Sequence, residues 1–96
     1  MAAPDASLYD STIKLVQTQK NTSQPYFINI QTISTHTPWN TPYGRKEKDA
    51  RRYADDSLSD FYNQLRQEGF FENGLLVVFG DHRVPGAPSS KEIEYL

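Results

Sequence analysis

Five consecutive apolar residues, Leu75-Leu76-Val77-Val78-Phe79, lie between two turn signals, Asn73-Gly74 before them and Gly80-Asp81 after them. A short apolar run bounded in this way predicts a strand buried on both faces, as in a parallel sheet. A parallel sheet needs a second strand and a crossover, and the chain offers both. Tyr26–Ile33 is rich in aromatic and β-branched residues and predicts that strand. Between the two, Ser34–Lys46 holds Pro38, Pro42 and Gly44 and reads as a long loop.

Ala50, Tyr53, Ala54, Ser57, Leu58, Phe61, Tyr62 and Leu65 then recur at helical spacing, with Gly69 as a stop. An earlier helix is predicted over Asp5–Lys20. Leu8, Tyr9, Ile13 and Val16 share one face of it, and Asp5 or Ser7 can cap it. Strand, crossover helix and parallel strand make a right-handed βαβ unit. The expected fold class is therefore α/β: a partial three-layer α/β/α unit with a small, mainly parallel sheet over residues 5–82. Residues 83–96 are expected to be loop or tail.

Ninety-six residues allow one small domain, which buries a smaller share of its surface than a domain of average size. Six Tyr, five Phe and Trp39 supply enough apolar surface to argue against disorder. A formal charge of −2 removes the electrostatic case for a nucleic-acid partner. No apolar run approaches the roughly 18 residues of a membrane span, and Met1-Ala2-Ala3-Pro4 lacks the charged and apolar regions of a signal peptide. The absence of cysteine excludes disulfides and thiolate metal sites.

In open parallel sheets, ligands bind beyond the carboxyl ends of the strands. His36 follows the first expected strand and Asp81-His82 the second, so that topology would bring them to one edge. A carboxylate and an imidazole there can coordinate a divalent cation or move protons, and Gly80 makes the needed bend cheap. An ordinary strand-end turn, with Asp81 capping amides and His82 solvated, fits the dipeptide equally well. His36 stands among hydroxyls and beside Trp39, in a setting suited to an anionic ester, but an ordinary loop histidine would look the same. Arg45, Lys46, Lys48, Arg51 and Arg52 crowd the start of the second helix, where the helix dipole disfavours cations. A solvated basic face accounts for them, as a polar outer face accounts for Asp55, Asp56 and Asp60.

Taken in order, three stretches resemble the carboxyl-terminal part of the sulfatase/alkaline phosphatase superfamily catalytic domain, closest to the lipoteichoic acid synthase-like phosphoglycerol transferases. Pro25 through Trp39 is similar to a family strand that ends in Ser/Asn-His-x-Pro-aromatic, here Thr35-His36-Thr37-Pro38-Trp39. Arg52-Tyr53-Ala54-Asp55-Asp56-Ser57-Leu58-Ser59-Asp60-Phe61 is similar to the family's following helix. Gly69-Phe70-Phe71-Glu72-Asn73-Gly74 through Gly80-Asp81-His82 is similar to its turn, apolar strand and Asp-His end. Arg83 departs from the glycine many sulfatases place after Asp-His.

The resemblance implies that Asp81 and His82 are two late metal ligands and that His36 binds the phosphate or glycerol part of the substrate. It implies manganese as the divalent ion, with zinc, magnesium and calcium as the other candidates. The partner would be a phosphate- or sulfate-ester substrate, with a lipid-linked ester among the candidates. The family's nucleophile and early metal ligands lie upstream of these motifs and have no counterpart here. The expectation is thus a fragment inactive and soluble by itself, lacking the amino-terminal part of its catalytic domain. Its parent would be membrane-anchored, with this domain outside the cytoplasm. The rival expectation is a non-catalytic α/β binding or interaction module on the same scaffold.

Overall fold

The computed structural model describes residues 4–82. Its regular elements are α1 (Asp5–Gln19), α2 (Glu47–Gln67) and a single turn of 3-10 helix (Phe70–Glu72). The two helices pack directly on each other. Tyr9, Ile13 and Val16 of α1 meet Phe61 and Leu65 of α2 in one buried cluster, with the Tyr9 and Phe61 rings stacked 4.5 Å apart at 17°. Both helical faces follow the periodicity of the sequence.

The expected α/β fold is overturned: no strand occurs among the described residues, and the one backbone bridge joins Thr41 to Gly44. Tyr26–Ile33 and Leu75–Phe79 carry no regular structure. A strand exists only as a member of a hydrogen-bonded ladder, and these two segments do not pair with each other. They serve instead as a covering layer. Ile28, Ile30 and Leu76 settle against the helical core, while Phe27, Leu75, Val77, Val78 and Phe79 are exposed. The two-faced burial suggested by the apolar run is absent, because of its five residues only Leu76 packs against the helical core. The right-handed βαβ unit and its shared ligand edge fall with the sheet. The expected tail, 83–96, lies outside the described residues.

The start of α1 is fixed by distant partners. Pro4 is its N-cap, and neither Asp5 nor Ser7 caps it through a side chain. The helix still has first-turn amides to satisfy. Asp5 N–H donates to Ser34 Oγ at 3.2 Å, and Ala6 N–H donates to the Tyr53 hydroxyl at 3.2 Å. Ser7 and Leu8 N–H donate to the Pro4 carbonyl. The Asp5 carboxylate, freed from capping, accepts the amides of Ile33 and Ser34, both at 3.0 Å on Oδ1. Asp5 and Ser34 therefore hold each other reciprocally and pin the 33–34 backbone to the head of α1.

At the head of α2, Asp49 Oδ2 accepts the Lys46 amide at 3.2 Å. At its end, Gly69 takes the left-handed conformation at φ 75°, as a helix-terminating glycine does. Glu68 joins the two helix ends, accepting from Lys20 Nζ at 2.5 Å and Gln17 Nε2 at 3.0 Å. The hydrogen bond from Lys20 is the main cause that lowers the Glu68 pKa.

Gly44 stands against the α2 cap. Its φ is 139°, and a Cβ there would come within 2.3 Å of Asp49 Oδ2. Gly44→Ala is expected to displace Asp49 from the Lys46 amide and strain the Thr41–Gly44 turn. A stability loss of about 1–3 kcal/mol in urea denaturation is the expected result. A variant as stable as the parent would show that the turn and cap are not coupled.

Candidate functional site

His36 lies in the loop that Asp5 anchors. Its amide donates to the Ile33 carbonyl at 2.9 Å, and its own carbonyl accepts the Trp39 amide at 3.0 Å. The Thr37–Pro38 bond inside this turn is cis, and Trp39 adopts φ 55°. The Trp39 indole N–H donates back to the Thr35 carbonyl at 3.1 Å, closing the loop over 35–39. The His36 imidazole is exposed, with Nδ1 2.6 Å from the Thr37 carbonyl oxygen. A carbonyl only accepts, so Nδ1 carries the proton in this contact. Nε2 is then a lone-pair acceptor when the ring is neutral, and a donor to an anion when the ring is cationic.

Asp81 and His82 are both exposed. Asp81 Oδ1 accepts the His82 amide at 2.8 Å, the contact expected of a turn. The same oxygen lies 3.7 Å from His82 Nε2. Two donors on a tetrahedral ion, each with a bond of about 2.1 Å, stand roughly 3.4 Å apart. The pair therefore fits a divalent cation in donor type and nearly in spacing. Two ligands are about half of what such an ion requires. Among the described residues, no group of three His, Cys, Asp or Glu side chains is placed to hold a metal ion. The structure thus gives His36 and the Asp81-His82 pair their local geometry but does not gather them into one three-ligand centre.

A polar groove missed by the sequence reading lies between Tyr43 and the outer face of α2, lined by Asp49, Arg52 and Asp56. The Tyr43 hydroxyl donates to Asp56 Oδ2 at 2.9 Å, and that bond is the main cause raising the Tyr43 pKa. No local pattern announces this contact, since it spans thirteen residues and depends on how the loop returns to the helix. Of the basic run, Arg51 pairs with Glu47 one helical turn earlier, and Arg52 joins the groove.

The described residues thus hold an exposed Asp-His pair behind an apolar run, and a histidine-bearing loop tied to the head of α1. The model of the Sulfatase family matches residues 1–88, and the chain belongs to that family. It is similar to lipoteichoic acid synthase 1 of Bacillus subtilis (strain 168), with 25% identity over 100 residues covering 85% of this chain and 15% of that protein. Lipoteichoic acid synthase 2 of the same strain is 26% identical over 73 residues, covering 62% of this chain and 11% of that protein. The lipoteichoic acid synthase of Staphylococcus aureus (strain USA300) is 24% identical over 82 residues, covering 67% of this chain and 12% of that protein. The chain therefore spans less than a sixth of the length of these relatives. No solved structure matches it.

Proposed function

We propose that this chain forms part of the catalytic domain of a longer, metal-dependent enzyme that transfers phosphoglycerol at the cell envelope. The observation that carries this reading is the similarity to lipoteichoic acid synthases over as much as 85% of the chain, within a Sulfatase-family match. Asp81 and His82 would hold one side of a divalent cation, and the remaining ligands and the nucleophile would come from elsewhere in the longer protein. A mixed carboxylate and imidazole set favours manganese or zinc over calcium, which prefers oxygen. Such an ion stabilises negative charge on the group being transferred. His36 presents Nε2 to solvent and, as a cation, would donate to the substrate anion. The whole protein would be membrane-anchored, with this domain outside the cytoplasm and the ester substrate lipid-linked.

The test is manganese calorimetry on a polypeptide that spans the length of the synthases, comparing Asp81→Ala and His82→Ala with the parent. Each variant is expected to lose at least about tenfold in affinity, as loss of even outer-shell support commonly causes. His36→Ala should leave metal affinity unchanged and weaken the substrate. Parental affinity in both metal variants would reduce Asp81-His82 to a turn and leave the chain a non-catalytic binding module.

A further inference from the structure

The loop that carries His36 consists of two turns in succession, one closed by the His36 amide on the Ile33 carbonyl, the next by the Trp39 amide on the His36 carbonyl. The Trp39 indole N–H returns to the Thr35 carbonyl, and His36 Nδ1 meets the Thr37 carbonyl oxygen. All of these contacts stay inside residues 33–39. They fix the shape of the loop and the setting of the imidazole upon it, and leave open where the loop sits. Among the described residues, the only hydrogen bonds that tie this segment to either helix are those of Asp5. Its Oδ1 accepts the Ile33 and Ser34 amides at 3.0 Å each, and its own amide donates to Ser34 Oγ at 3.2 Å. Asp5 is buried at the head of α1, where a carboxylate is costly unless donors replace its hydration. Both donors belong to the histidine loop. The Ile33 peptide links the two residues directly, with its amide on Asp5 and its carbonyl on the His36 amide.

We propose that Asp5 is a positioning residue for the substrate anion, acting through the Ile33–Ser34 backbone on His36; this rests on the reading of His36 as the donor to that anion. A loop tethered at one place presents Nε2 at one place. Released, it samples several positions, and affinity falls in proportion to the fraction of time the competent one is held. Acceptance of the two amides is what the tether needs, and full charge is not. Oδ2 makes no hydrogen bond among the described residues, so an asparagine can set its carbonyl oxygen at the place of Oδ1 without displacing a partner.

Calorimetry of glycerol phosphate binding, on the manganese-loaded polypeptide that spans the length of the synthases, tests the assignment. His36→Ala should weaken binding at least about tenfold, as loss of one hydrogen bond to a charged group does. Asp5→Ala should weaken it at least about fivefold, corresponding to a loop in place about one-fifth of the time. Asp5→Ser is the milder variant. Its hydroxyl suits a helix start but is one atom too short to reach both amides, and a loss of at least about threefold is expected. The double variant Asp5→Ala with His36→Ala should bind no more weakly than His36→Ala alone, because the tether then has nothing to position. Independent effects would instead multiply to about fiftyfold. Asp5→Asn should stay within about twofold of the parent, as should Phe61→Leu, which loosens the helix core without touching the loop. Manganese affinity should be unchanged throughout. A His36→Ala variant that binds like the parent overturns the role of His36 and this inference with it. A loss at His36 beside parental binding in Asp5→Ala and Asp5→Ser overturns this inference alone. Losses that multiply in the double variant, or an Asp5→Asn as weak as Asp5→Ala, overturn it as well.

Discussion

Asp5→Ala should destabilise the chain by about 3 kcal/mol or more. Asp5 is 1% exposed, and its Oδ1 accepts two amides, those of Ile33 and Ser34, at 3.0 Å each. Hydrogen bonds to a charged acceptor contribute about 1.5–3 kcal/mol apiece, and removing that acceptor leaves two part-buried donors without one. The loss of a negative charge from the first turn of α1 adds to the effect. Asp5→Asn separates charge from shape, since one amide oxygen can occupy the place of Oδ1 and is expected to retain roughly half of the stabilisation. Ser34→Ala removes only the return bond to Asp5 N–H and should cost about 1 kcal/mol. Urea denaturation of the three variants supplies the ranking. An Asp5→Ala variant no weaker than Ser34→Ala would mean that the 33–34 backbone is held by something other than this carboxylate. Because His36 lies two residues past Ser34 and its amide donates to the Ile33 carbonyl, the same variant should loosen the loop from Ile33 to Trp39, seen as faster exchange of the His36 and Trp39 amides.

The fate of Asp5 illustrates what the sequence could and could not disclose. A carboxylate just before an apolar periodic segment is a good N-cap by any local rule. Its actual partners lie 28 and 29 residues away, in a loop whose path no local rule predicts. The helices themselves were legible because their determinants are local: the spacing from Ala50 to Leu65, the left-handed Gly69, the face from Tyr9 to Val16. The sheet failed for the opposite reason. Leu75–Phe79 has the composition of a strand, but a strand is completed by a hydrogen-bonding neighbour, and composition does not specify one. The family was legible through the order of three motifs, and the match over residues 1–88 bears that reading out. The local surroundings of His36 and of Asp81-His82 follow from turns. Their convergence on one ligand was inferred from the sheet edge, and that inference lost its basis when the sheet was not found.

The second large effect is expected at Phe61. Its side chain is 2% exposed and stacks on Tyr9, so the ring joins α1 to α2 at the centre of the buried cluster. Phe61→Ala removes the transferred apolar surface and leaves a cavity that the packed helices can close only in part. Substitutions of this kind cost about 3–5 kcal/mol. A domain of this size has a total stability of only about 5–10 kcal/mol, so most of it would be lost. At roughly 4–8 °C per kcal/mol, the midpoint of thermal unfolding should fall by at least about 12 °C. Tyr62→Ala, one residue further along, is the internal comparison. Tyr62 is 45% exposed and leans on Phe71 at the protein surface, so its truncation should cost no more than about 1 kcal/mol. Phe61→Leu keeps most of the volume while forfeiting the ring stacking, and should fall between the two. Equal losses for Phe61→Ala and Tyr62→Ala would show that the helix interface does not govern the fold. A much larger loss at Phe61 would place the stability of the chain in the α1–α2 contact.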